Sequence, residues 1–205
     1  MGSTPSKLLD RHRALVIDAS VLINLLGTGE IEAIFEAVER PVYLARPALS
    51  EVTRDPLTGQ SPAPVLELLA TRGFVICRDM DSQTRAHMVA LTGAPGSDAL
   101  DDGEAATIAV GASMNCAVVI DEARGRRIAA NTHVAEDILG TLDIIASTRI
   151  FGILGEDRVR AAILSACRHA RMRVPHEWRA WIVDTIGEHA ARQLPTLNAY
   201  FRGRR

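Results

Sequence analysis

A chain of 205 residues can bury one α/β core with some elaboration, or at most two very small domains. Apolar residues make up 47% and charged residues 23%, which argues against disorder, and aromatics at 4% leave Leu, Ile, Val and Ala to build the core. No apolar run approaches the roughly 20 residues that cross a bilayer, and residues 1–13 lack the apolar stretch of a secretory signal. A cytoplasmic protein without membrane attachment is expected.

The net charge of −2 is unevenly placed. Residues 1–150 hold 13 Lys or Arg against 20 Asp or Glu, whereas residues 151–205 hold 10 against 5. An acidic body with a basic tail follows. Lys7 is the only lysine, so chemistry that needs a lysine inside the fold is disfavoured. Cys77, Cys116 and Cys167 are widely spaced in apolar segments and read as buried, reduced, small hydrophobes. Gly2 with Ser6 fits the outline of a myristoylation signal, and is read as coincidence beside Pro5.

In chain order, residues 14–17 form an apolar run that stops at Asp18, as a buried parallel strand does. Helices are predicted over 20–26 and 30–40, the second with Ile31, Ile34, Phe35 and Val38 on one face. A strand over 42–45 leads to a helix opened by Pro47, which carries Glu51. A turn-rich stretch precedes a helix over 65–71, a strand over 74–77 and a helix over 82–91. After a Gly- and Pro-containing loop at 92–97, residues 101–114 form a helix, with Ala105, Ile108, Ala109 and Ala112 on one face. A strand over 117–120 ends at Asp121, and an Arg-rich helix covers 122–130. A last strand falls within 134–139, before helices over 141–200 with breaks near Gly152, Pro175 and Pro195. Strands alternating with helices at this spacing imply right-handed βαβ units and a parallel sheet.

Active sites of such sheets collect beyond the carboxyl ends of the strands. Asp18 and Asp121 are delivered there by two short apolar strands, and Glu51 and Glu104 lie near the starts of helices that face the same edge. Two like charges about 4 Å apart repel by roughly 4 kcal/mol at an effective dielectric near 20, so converging carboxylates demand protons or a cation. Mg²⁺ or Mn²⁺ suits an all-oxygen site, and phosphodiester hydrolysis is the natural reaction. Each acid also has a structural explanation: Asp18 and Asp121 as caps of the following helices, Asp101 with Glu104 as a capping box, Glu51 as a solvated helix residue. The histidines form no zinc-type HxxxH cluster, a receiver-type phosphoacceptor would need a lysine near its site, and Asp18 lacks the D-x-D continuation of the dehalogenase-like phosphatases.

The segments Val16-Ile-Asp-Ala-Ser-Val-Leu-Ile-Asn-Leu25, Pro47-Ala-Leu-Ser-Glu-Val52, Leu100-Asp-Asp-Gly-Glu-Ala105 and Val119-Ile-Asp-Glu-Ala-Arg-Gly-Arg-Arg127 resemble the motifs of PIN domains. They are most similar to a prokaryotic subgroup like the VapC-type toxins of toxin–antitoxin modules, and Ile138-Leu-Gly-Thr-Leu142 resembles that family's Gly-Thr turn. The resemblance implies an α/β three-layer sandwich over residues 13–150, with residues 151–205 as a basic helical extension packed on it. It implies a Mg²⁺- or Mn²⁺-dependent endoribonuclease with Asp18, Glu51, Glu104 and Asp121 as metal-binding acids. Asp101 and Glu122 would assist through hydrogen bonds or bound water, with Ser20 and Asn24 near the first aspartate. An RNA substrate, a cognate antitoxin and a homodimer are the implied partners; the alternative is a non-catalytic RNA- or protein-binding module of the same fold. Arg124, Arg126 and Arg127 beside the acids, and Arg168, Arg171 and Arg173 in the tail, are candidate RNA contacts, with pairing of the first group to Glu122 the plainer reading. Asp143 departs from the small residue expected after the Gly-Thr turn.

Overall fold

The computed structural model describes residues 12–96, 99–132 and 137–202. Gly2, Ser97, residues 134–136 of the expected last strand, Arg204 and Arg205 lie outside the described residues.

Five strands form one parallel sheet: β1 (Leu15–Ile17), β2 (Val42–Ala45), β3 (Val75–Arg78), β4 (Ala117–Val119) and β5 (Ile138–Leu139), ordered β3-β2-β1-β4-β5. β1 and β4 pair in register from Leu15 opposite Ala117 to Ile17 opposite Val119, and all six side chains are fully buried. Their continuous apolar runs are what a central strand covered on both faces requires. Helices cover both faces, making the expected three-layer α/β sandwich.

The sheet grows from β1 in one direction through β2 and β3, then resumes on the other side of β1 with β4 and β5. A topological switch point therefore falls between β1 and β4, where the connections leave in opposite directions and open a crevice. Helices α1 (Ala19–Gly27) and α7 (Ala123–Asn131) start on the two sides of that crevice. α2 (Ile31–Val38) buries its apolar face in the core, while α3 (Arg46–Glu51), following β2, brings in a third side. α4 (Ala63–Thr71) and α5 (Ser82–Thr92) flank β3 in sequence, before α6 (Asp102–Met114). α6 is buried from Gly103 through Gly111, since its Ala- and Gly-rich sequence admits close neighbours all round. A short α8 (Thr141–Ile145) follows β5.

Beyond residue 150 the chain joins the same hydrophobic core through Val159, Ile163, Met172, Trp181 and Ile182. The long helix α9 (Thr148–Ser165) is interrupted at Gly155, not at Gly152, because Gly155 takes a positive φ of 75° that side-chain-bearing residues resist. A π-helical turn (Ala166–Ala170) then ends in Arg171, itself left-handed at φ 56°. Residues 171–174 alternate exposed Arg171, buried Met172, exposed Arg173, buried Val174. This period-2 pattern anchors the segment by its two apolar side chains and turns both arginines outward. The amide of Val174 donates to Thr196 Oγ1 at 2.9 Å, tying the segment to the chain's last turns. α10 (Arg179–Ile186), α11 (Glu188–Ala191) and α12 (Asn198–Arg202) are the last described helices. Of the three cysteines Cys167 is buried as expected, Cys116 is half-buried and Cys77, on edge strand β3, is exposed. Trp181 is buried, with Trp178 edge-on to it at 5.4 Å between ring centroids, so both belong to the packing. No helix among the described residues is long and apolar enough to cross a membrane.

Candidate active site

Asp18 follows β1 directly, and its amide donates to Val119 O of β4, which pins its backbone to the switch point. Its Oδ2 accepts from the Ser20 amide at 3.2 Å and the Ser20 hydroxyl at 2.7 Å, capping α1 as the structural reading proposed. Its Oδ1 is buried and has no hydrogen-bond partner. With the residue 3% exposed, burial pushes the Asp18 carboxyl up against the opposing effect of those Ser20 bonds, and Asp101 adds repulsion.

Glu104 enters from α6. Asp101 caps that helix, its Oδ1 accepting the Glu104 amide at 2.8 Å, which releases the Glu104 side chain to point inward. Glu104 is 3% exposed; its Oε2 receives Arg124 Nη2 at 3.1 Å, and its Oε1 is buried without a partner. Burial and then the charge on Asp101 raise its pKa to about 7, although Arg124 pulls it down. Arg124 thus pairs with Glu104 rather than with Glu122, because α7 runs beside α6 and its first turn faces the buried acid. Glu51 is the last residue of α3 and not near a helix start as the sequence suggested, because the helix opens at Arg46 and is only six residues long. It stays exposed to solvent. Its carboxyl is pushed up by partial burial, then by Asp101 and Asp18, and is held down by the Gly103 amide. Asp18, Glu51, Glu104 and Asp101 therefore share one electrostatic field.

Asp121 is differently placed. Its Oδ2 accepts from Asn24 Nδ2 at 2.6 Å and Thr141 Oγ1 at 2.5 Å, while Oδ1 accepts the Thr141 amide at 2.8 Å. It caps the start of α8, not the start of α7 that immediately follows it. Asn24 accordingly serves the second aspartate, whereas the sequence suggested a place near the first. Thr141 was missed as a site residue; the Gly-Thr turn was the available signal. Asp143, unexpected there, accepts the Gly140 amide at 2.7 Å from the first turn of α8, which accounts for a carboxylate at that position.

Three glycines make the carboxylates fit. A Cβ on Gly103 would stand 2.3 Å from Glu51 Oε1, one on Gly125 2.8 Å from Glu104 Oε1, and one on Gly140 3.0 Å from Asp121 Oδ1. The glycines of the D-D-G-E-A, D-E-A-R-G-R-R and L-G-T segments each vacate space that an acid occupies.

Among the described residues, no three His, Cys, Asp or Glu side chains lie close enough to hold one ion between them as they stand. The donor set nevertheless fits a hard divalent cation: the carboxylates are oxygen ligands, and two of them hold a buried oxygen that no protein group satisfies.

The predicted basic residues divide. Arg126 and Arg173 line a cleft of about 580 Å³ that begins at Asp121. Arg171 and Arg173 line a smaller one, about 210 Å³, with Ser20, Asn24, Asp121 and Glu122. Glu122 is exposed at the head of α7, 3.9 Å from Arg173. Arg168 joins Arg171 and Arg173 around a third cavity, and Arg127 is exposed on α7.

A parallel sheet with acids at its switch point defines an α/β protein whose candidate site lies beyond the carboxyl ends of the strands. A family model described as PIN domain (DUF3368) matches residues 14–188, and the chain belongs to the PIN-domain family, whose members are typically nucleases. No curated protein and no solved structure matches it.

Proposed function

We propose that this PIN-domain protein is a metal-dependent endoribonuclease, hydrolysing phosphodiester bonds of single-stranded or structured RNA. The observation that carries the reading is the pair of buried, unpartnered carboxylate oxygens, Asp18 Oδ1 and Glu104 Oε1, at the switch point. Groups so placed cost stability unless a cation or proton meets them. Asp18 and Glu104, with Glu51 and Asp121, would hold Mg²⁺ or Mn²⁺. When bound, such an ion supplies an activated water and neutralises charge on the phosphoryl oxygens.

The protein's own residues do the positioning. Ser20 fixes the Asp18 carboxylate by two bonds, and Asn24 with Thr141 fixes Asp121 by three. Arg124, 42% exposed at its side chain, supplies a positive charge to Glu104 and can turn toward a phosphate when that acid is otherwise neutralised. Arg171 and Arg173 bring cations to an edge whose acids would repel RNA within a Debye length of about 8 Å.

The resemblance to VapC-type proteins extends the proposal to a toxin with a cognate antitoxin and a homodimeric state. A small adjacent gene whose product co-purifies with and inhibits this protein would support that extension. Cleavage of single-stranded RNA with Mn²⁺, lost on chelation and in Asp18→Asn, tests the enzyme. RNA bound but uncut at every metal concentration would replace it with the non-catalytic binding module.

A further inference from the structure

The cleft of about 580 Å³ beside Asp121 is walled by helix α7 on one side and by the segment 173–179 of the extension on the other. Its walls are chemically divided. Arg126, Arg173 and Arg179 supply guanidinium groups, Val174 and Pro175 supply apolar surface, and Glu177 supplies an acceptor. Arg179 Nε is buried and has no hydrogen-bond partner, a donor left without its acceptor. The Arg173 side chain is 85% exposed and lies 3.9 Å from Glu122. Three guanidinium groups against the carboxylates of Asp121 and Glu177 favour an anionic group over a cation in the body of the cleft, and a purely apolar ligand would leave them unpaired.

Resting on the ribonuclease reading, we propose that this cleft is a nucleotide subsite, seating one nucleotide of the RNA next to the bond that is cut. Its phosphate lies on Arg126, Arg173 and Arg179, which offer forked donors suited to phosphate oxygens. Its base lies on Pro175, over the buried Val174, and Glu177 accepts from the base's exocyclic amino group. Asp121 stands both at the cleft's edge and among the proposed metal ligands, so occupation of the cleft carries the next phosphate toward the acids. The volume, several hundred cubic ångströms, is in the range that holds a small ligand rather than a lone ion. The extension thus forms half of the substrate site, and its position follows from the alternation that anchors Met172 and Val174 in the core.

The test is titration of CMP, UMP and inorganic phosphate into Asp18→Asn with chelator present, followed by calorimetry, so that binding is read without catalysis or metal. CMP should bind more tightly than phosphate, and more tightly than UMP, which lacks the amino group. Arg179→Gln and Arg173→Gln should each weaken CMP by about tenfold, and Glu177→Gln should shrink the CMP–UMP difference. With single-stranded RNA, each arginine removed should lower the salt slope by about 0.7. Thermal melts of every variant exclude misfolding. Equal binding of CMP to wild type and to both arginine variants would overturn the subsite, even if RNA is cleaved. Nucleotide binding that behaves as expected in a protein that never cuts RNA would overturn the nuclease reading and leave the subsite standing. Binding of acidic peptides in the cleft, with no affinity for nucleotides, would assign it to a protein partner instead.

Discussion

Asp18 and Asp121 leave adjacent strands of one sheet at the same edge, and each sits at the head of a helix, yet their surroundings are opposite. Asp18 is bonded through one oxygen and presents the other, buried and unpartnered. Asp121 has both oxygens engaged, by Asn24 and Thr141. The first is destabilised as it stands and gains most from a cation; the second is held in one orientation by neutral donors. A carboxylate site needs both kinds, one supplying affinity and the other fixing geometry.

The largest effect should come from breaking the first kind. Asp18→Asn should abolish Mn²⁺-dependent RNA cleavage and weaken Mn²⁺ in calorimetric titration, while the metal-free protein melts a few degrees higher because a desolvated like charge is gone. Unchanged cleavage and affinity would remove Asp18 from the metal set.

Breaking the second kind should be less severe. Thr141→Val removes the hydroxyl that holds Asp121 while retaining the backbone bond, and should reduce metal affinity or activity by about 10–100-fold. Thr141→Ser should restore most of it. A Thr141→Val protein of full activity would mean that Asp121 needs no such orientation.

Glu104 gives the comparison a pH dependence. Its folded pKa of about 7 lies above the ordinary glutamate value of 4.5, so the folded protein holds the proton more tightly than the unfolded one. Metal-free stability is then greatest below about pH 4.5 on this group's account, falls as pH rises toward 7, and levels off beyond. The swing is on the order of 3–4 kcal/mol, at about 1.4 kcal/mol per pKa unit. Melting curves across this window should show the decline for wild type and a flatter profile for Glu104→Gln. Saturating Mn²⁺ should oppose it, and cleavage should rise through pH 7 as the acid ionises. A wild-type profile as flat as the variant's would mean that Glu104 titrates unperturbed.

The smallest effect belongs to Asp101→Ala. Loss of the cap bond to the Glu104 amide should cost about 1 kcal/mol by chemical denaturation, with cleavage retained. Because Asp101 also raises the Glu104 pKa, the pH profile of this variant should move to lower pH. An inactive variant of normal stability would exchange the roles of the two acids.

Much of this was legible in the residues. Short strands of continuous apolar side chains, each ending in an aspartate, announce a parallel sheet whose functional edge carries acids, because backbone pairing and burial fix both facts locally. The D-x-x-E spacing also marked Asp101 as the cap of α6, since one helical turn separates a cap from the residue it serves. That the Glu104 side chain turns inward instead of closing a capping box was decided by packing. Partners in space could not be read this way. Nothing near Asp121 in sequence indicates Asn24, 97 positions away, or Thr141, 20 away, as its donors. Arg124 looked like a neighbour of Glu122 and is a neighbour of Glu104, because α7 packs on α6 at that point. The basic tail was visible as composition alone. That Arg173 and Arg179 close a cleft against Asp121 depends on how α9 breaks at Gly155 and how Met172 and Val174 seat in the core. Local sequence determines which groups carry charge and which face of an element is apolar. Which charge ends beside which is decided by packing, where each element is placed by apolar contacts made with residues remote in the chain.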